Sequence, residues 1–274
     1  MRVPILTYHA AYVSGMGYAS NDHAGFAADL AALGRLGWRV ESLRRVVDAF
    51  LGKAVLEGKV VGLAFDDGTD FDFHDLDHPS WGVQRSMFNI LRDYEAAHPL
   101  AQPGLHATSF VVVSPAARVA LDASALAGRG WWTDGWWKPA IASGRWGIAN
   151  HSWDHNHGGI GPTAAGVAAA DTFRSVDSFA AAEAEIGQAA AFLKLYAPNP
   201  GDALFAYPYG EVNDYLALEY LPCEGERIGV VAAFGCEAGP LTAASPRWNL
   251  PRYVFKRDWN APEELVRLLG DLAH

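Results

Sequence analysis

The sequence predicts an α/β fold built on a parallel sheet, and three observations carry that reading. Short apolar runs recur along the chain without the polar alternation of a half-exposed sheet, as in strands covered on both faces. Stretches with helical spacing separate them, which gives repeated β–α units and leaves a barrel or a doubly wound sheet open. No Ser-, Pro- or Gly-rich linker interrupts the 274 residues, so one domain over 1–274 is expected.

The expected strands follow in order: 4–9, 38–42, 60–65, 107–113, 147–151, 204–208, 228–234 and 252–255. Between them, 26–36 places Phe26, Leu30, Leu33 and Leu36 on one helical face. The stretches 43–51, 83–97 and 179–196 continue the alternation, the last with Glu183 and Glu185 on its polar side. Pro262, followed by Glu263 and Glu264, starts a final helix over 262–272. Two stretches read as long loops: 128–138, which holds Trp131, Trp132, Trp136 and Trp137, and the Gly-rich 156–166. Long loops on a rigid scaffold are common places for function.

Composition narrows the classes. Half of the residues are hydrophobic and 12% are aromatic, too many for a disordered chain. The 31 acidic against 21 basic residues leave −10, which argues against nucleic acid as a partner. Two cysteines, Cys223 and Cys236, cannot staple a fold of this size and read as free thiols. The N-terminal apolar run is too short for a secretion signal, and no stretch reaches the ~18 apolar residues of a membrane span. The chain as it stands is therefore expected in the cytoplasm, or outside it if a leader has been removed. The oligomeric state is not legible.

Two clusters carry chemistry. The apolar run ending at Phe65 meets Asp66-Asp67-Gly68. Adjacent carboxylates at the end of a buried strand must be solvated, paired or bound to a cation, although an Asp-Gly turn is the plain alternative. Successive side chains at a strand end point different ways, so one Asp can bind a metal while the other faces a water. The following acidic segment, 69–78, reads as a solvated loop. The run 147–150 ends at His151-Ser152-Trp153-Asp154-His155. If a helix follows the strand, the spacing of four brings both imidazoles to one side. Two His and one Asp make a three-ligand site for a divalent cation. His157 is a spare candidate.

These residues resemble the polysaccharide deacetylases, the NodB-homology family (carbohydrate esterase family four). Ala64-Phe65-Asp66-Asp67-Gly68 is similar to that family's TFDDG motif, with Ala in place of Thr. His151 to His155 fits its H-[ST]-x-x-H motif, and Ala206-Tyr207-Pro208-Tyr209-Gly210 is similar to its R-x-P-[FY]-G motif. The opening 4–9 is similar to the first strand of many members. The motifs occur in family order over about 4–210. The resemblance implies a distorted (β/α) barrel of about seven strands. It implies a divalent metal, zinc first with cobalt, nickel or manganese as alternatives, and hydrolysis of N-acetyl groups from an amino-sugar-containing glycan or saccharide. Carried over, Asp66 is the base, Asp67, His151 and His155 are the metal ligands, and Tyr209 offers its backbone N–H to the oxyanion. Pro208 stiffens that turn and counts with the substrate-binding residues.

The chain departs from the family in two places. The motif Arg is replaced by Ala206, for which Arg252 is the expected substitute as orienter of the base. The late Leu-x-Leu-His motif is absent, so the general acid is unassigned. His9 closes the first strand and reads as a core or hydrogen-bonded His that can also face the site. Lys256-Arg257-Asp258-Trp259 only faintly resembles the fourth motif. Trp131, Trp132, Trp136 and Trp137 are candidates for stacking on a sugar, with loop packing as the alternative. Asp22 either contacts substrate or caps a helix. Two other functions stay open: a related amidohydrolase acting on a small non-sugar C–N bond, and a non-catalytic carbohydrate-binding relative.

Overall fold

The sheet is built on Val60–Phe65, whose six residues are all buried. One edge of this strand pairs with Ile5–Tyr8 over four residues. The other edge is shared: Arg39–Glu41 takes the first half and Ala107–Val111 the second. The sheet continues through Trp146–Asn150, Leu204–Ala206 and Ala232–Phe234, and on the far side Tyr253–Val254 joins Ile5–Tyr8. Every one of these pairings is parallel. Seven strands form the ribbon and Arg39–Glu41 lies off it. The ribbon curls into a half-barrel with helices around it, and an isolated bridge from Phe234 to Leu250 brings the segment before the last strand across the gap. The computed structural model describes residues 1–158, 172–196 and 203–272.

Alternate residues of each strand enter different cores, which explains the continuous apolar runs. Leu6, Tyr8, Leu63 and Phe65 pack outward against Phe26, Leu30 and the other helical residues. Ile5, Ala64, Phe110, Ala149, Ala206 and Phe234 fill the inside of the curl. The helices that cover the sheet start at side-chain caps: Asn21 for Asp22–Arg35, Ser42 for Leu43–Phe50, Ser86 for Met87–Ala97 and Ser114 for Pro115–Ala125.

Several expected boundaries move for local reasons. The helix expected from residue 83 starts at Met87, because Gly82–Gln84 pairs back on Leu76–His78 as a hairpin. The strand expected from 228 is extended only over Ala232–Phe234; Ile228 ends the helix Leu221–Ile228, and left-handed Gly229 (φ 80°) stops it. The Trp-rich stretch is not all loop, since Trp137–Ala142 is a short helix. Between 179 and 193 the helix widens to a π turn over Glu183–Gly187. Pro115–Ala125 is a helix that the apolar spacing does not predict, with Ser114 as its cap and Pro115 in its first turn. Cys223 and Cys236 are free thiols. Among the described residues, no helix is long and apolar enough to cross a membrane.

Candidate active site

The strand Val60–Phe65 delivers two carboxylates to the same edge of the half-barrel and sends them to different partners. Asp66 still belongs to the ladder, its N–H donating to Tyr8 O at 3.0 Å. Its carboxylate is gripped by Arg252 at both ends, Nη1 to Oδ1 at 2.7 Å and Nη2 to Oδ2 at 2.9 Å. Arg252 has no exposed surface, and its Nε donates to Gly235 O at 2.9 Å. Burial alone would push Asp66 up, but the Arg252 guanidinium, helped by His151, holds it below the usual carboxylate range. A planar fork matched to a carboxylate is the geometry that fixes an orientation as well as a charge.

Asp67 turns away in the left-handed region (φ 77°) and Gly68 follows it there (φ 75°). Its Oδ1 lies 3.6 Å from His151 Nε2 and 3.7 Å from His155 Nε2. The three ligand atoms all lie within 4.8 Å of one another. Two donors on one tetrahedral ion at ~2.1 Å stand about 3.4 Å apart, so this spacing fits a single divalent cation. The donor chemistry fits too. His151 Nδ1 bonds to Ala206 O at 2.9 Å, which leaves Nε2 to face the triad. Burial opposes ionisation of Asp67, yet the two imidazoles and His9 hold it well below its usual range. Burial and the neighbouring His151 push His155 down to about 3, so its ring is neutral, as a ligand must be.

The histidines do not meet through a helix. After Trp146–Asn150 the chain makes a tight loop in which Ser152 (φ 72°), His155 (φ 65°) and Asn156 (φ 48°) are all left-handed. Side chains of the loop hold it: Asn150 Oδ1 accepts Ser152 N–H at 2.8 Å and Ser152 Oγ accepts His155 N–H at 2.9 Å. His157 is not part of the converging triad.

Opposite the triad, Pro208–Gly210 forms a tight turn that Tyr209 enters at φ 59°. Tyr209 is 44% exposed and its ring packs on His155 at 4.4 Å, whereas Pro208 is buried beneath it. His9 continues the Ile5–Tyr8 strand beside Asp66 in the sheet, is half-buried, and meets the Tyr12 ring edge-on at 5.8 Å. Asp22 is almost fully buried and already engaged, accepting His9 N–H at 2.9 Å and pairing with Lys256 Nζ at 2.7 Å. It offers no surface to a substrate, and Asn21 rather than Asp22 is the cap of its helix. Lys256, in the segment that only faintly resembles the family's fourth motif, reaches Asp22 from a left-handed position (φ 68°).

The four-tryptophan platform does not survive burial. Trp136 and Trp137 have no exposed surface and belong to the core. Trp132 is 8% exposed and its Nε1 donates to Asp67 O at 3.1 Å, so it braces the Asp67–Gly68 turn instead. Trp131 is half-buried against Phe71. Asp122 accepts the N–H groups of Gly130 and Trp131, and Asp70 accepts that of Thr133, which pulls the whole segment inward. Most of the loop expected at 156–166, including the Gly-rich 159–161, and His274 lie outside the described residues.

No protein-family model matches the sequence and no curated protein matches it. Solved structures do. The Streptococcus pyogenes deacetylase PplD, in complex with acetate, aligns with TM-score 0.64 at 18% identity over 98% of each chain. IcaB from Ammonifex degensii aligns with TM-score 0.65 at 20% identity over 100% of this chain and 97% of its own. A polysaccharide deacetylase from Bacillus cereus aligns with TM-score 0.62 at 18% identity over 98% of this chain and 69% of its own. At these identities the likeness is one of fold. The chain has the half-barrel fold of the solved polysaccharide deacetylases it resembles.

Proposed function

We propose that the protein is a metal-dependent hydrolase that removes N-acetyl groups from an amino-sugar-containing glycan or saccharide. The observation that carries the reading is the division of labour between Asp66 and Asp67. One carboxylate is forked by Arg252, and its neighbour points at two histidines with single-cation spacing. The deacetylases among the similar solved structures support the same chemistry.

Asp67, His151 and His155 would hold the cation, with zinc first and cobalt, nickel or manganese as alternatives. A divalent cation there supplies Lewis acidity to an amide carbonyl. Asp66, kept ionised and fixed in direction by Arg252, takes the proton of the attacking water. The Tyr209 turn presents main-chain N–H to the developing oxyanion. A proton passes to the leaving amine, for which His9, on the strand next to Asp66, is our candidate donor, and acetate and a free amine remain. Tyr209, exposed and packed on His155, is an aromatic surface that a sugar ring would meet beside the site.

The test is acetate release from N-acetylglucosamine oligomers with and without divalent metal. Wild-type protein is expected to turn over only when loaded. Asp66→Asn is expected to lower kcat by about 10²–10⁴-fold with metal content unchanged. A metal-loaded wild-type chain that releases no acetate overturns the reading.

A further inference from the structure

The His151–His155 loop is tied on one side to main chain at 111–114, where His151 N–H donates to Val111 O and Val113 and Ser114 N–H donate to Ser152 and Trp153 O. On its other side it meets the helical run 179–193 at the π turn Glu183–Gly187. Single π turns inside α-helices recur at functional sites. This one presents two acceptors to the loop. Ile186 O takes Asn150 Nδ2–H at 3.0 Å, and Glu185 Oε2 takes Asp154 N–H at 3.3 Å. Glu185 is 2% exposed and Asp154 is 4% exposed.

A carboxyl group buried beside another carboxyl is expensive to keep. Burial, and then the neighbouring Asp154, push Glu185 far above its usual range. An apolar residue would fill the same space more cheaply. What it would not supply is an acceptor for the N–H that precedes His155. Asp154 in turn uses Oδ1 to take Asn156 N–H at 2.9 Å, so Glu185 stands at the head of the bonds that hold two successive left-handed residues, His155 and Asn156. Left-handed non-glycine residues persist only where their surroundings over-determine them.

We propose that Glu185 is a positioning residue for the metal-ligand loop: from the π turn it takes the Asp154 N–H and so fixes the backbone that aims His155 at Asp67. The inference rests on the reading of Asp67, His151 and His155 as a cation site. Glu185 acts through the loop backbone, by way of Asp154 and the neighbouring Ser152 side chain.

The test is Co²⁺ titration of the metal-stripped chain, with amide hydrogen exchange over 150–158 measured on the same metal-free protein. Glu185→Met keeps the volume and removes the acceptor. It is expected to weaken Co²⁺ binding by about 10-fold or more and to speed exchange in 150–158 by a comparable factor. Glu185→Gln keeps an acceptor oxygen and is expected to stay within about 3-fold of wild type in both readings. A folded Met variant in which either reading stays at the wild-type value overturns the proposal. Should the Met variant not fold, Glu185→Asp, which withdraws the carboxyl by one methylene, replaces it: losses in both readings support the proposal and wild-type values overturn it. A wild-type chain that binds no Co²⁺ sinks the cation reading instead, and hydrogen exchange alone then decides on Glu185.

Discussion

Asp66 and Asp67 are the same residue type at adjacent positions, and only their partners separate them. Burial would raise both, so each is ionised because something specific opposes burial: a guanidinium for Asp66, two imidazoles and His9 for Asp67. This makes Arg252 a stability residue as well as an orienting one. Arg252→Met leaves a fully buried carboxylate without its cation and is expected to cost about 3–5 kcal/mol in urea unfolding at pH 7. The pH dependence follows from the sign of the shift. Asp66 is depressed in the folded chain, so its ionisation stabilises the fold above the unfolded carboxylate range of about 4. That contribution is lost as the pH falls through the folded value. The Met variant therefore loses most relative to wild type near neutrality and less in acid.

At the scale of elements, the turns that end strands are the fixed points. Gly68 at φ 75° has Val111 against it, and a Cβ there would lie 2.9 Å from Val111 Cα. Gly68→Ala is expected to destabilise the chain by about 2 kcal/mol or more, since both the backbone region and the space are wrong; equal urea midpoints would count against it. A second fixed point is Asp29 on the helix Asp22–Arg35. It is fully buried and accepts from Tyr8 Oη (2.9 Å), Tyr18 Oη (2.6 Å) and Trp259 Nε1 (3.0 Å), tying the helix to the first strand and two rim loops. Burial pushes it up to about 6, with the three donors only partly offsetting the cost. The sign here is opposite to that of Asp66. The folded chain holds this proton longer than the unfolded one, so stability falls as pH rises from about 4 to about 6. Asp29→Asn is expected to remove this slope, so that its stability relative to wild type improves by on the order of 2 kcal/mol between pH 4.5 and pH 7.

For the whole molecule, the proposed ligands come from two strand ends, Val60–Phe65 and Trp146–Asn150, separated in the sheet only by Ala107–Val111. A cation that joins them binds the folded chain alone. Zn²⁺ at a hundred times its dissociation constant is expected to add about 2.7 kcal/mol, which for a chain of this size raises Tm by about 5–10 °C, and chelation is expected to reverse it. An unchanged Tm by calorimetry would argue against the cation. The sequence by itself determined the parallel α/β sheet, because strands covered on both faces must read as apolar runs. It also placed Asp66, Asp67, His151 and His155 at the ends of such runs, where polar residues interrupt them. Only the tertiary structure decided the rest. The sequence offers Arg252 as the partner of Asp66, but the two are 186 residues apart, and only the curl of the sheet, which brings the last segment across the gap, pairs them. Four tryptophans in one stretch looked like a binding surface until Asp122 and Asp70 drew that stretch inward. The two histidines meet through left-handed turns rather than a helix. Local spacing records which residues neighbour each other along the chain, whereas orientation and burial are set by contacts between distant segments.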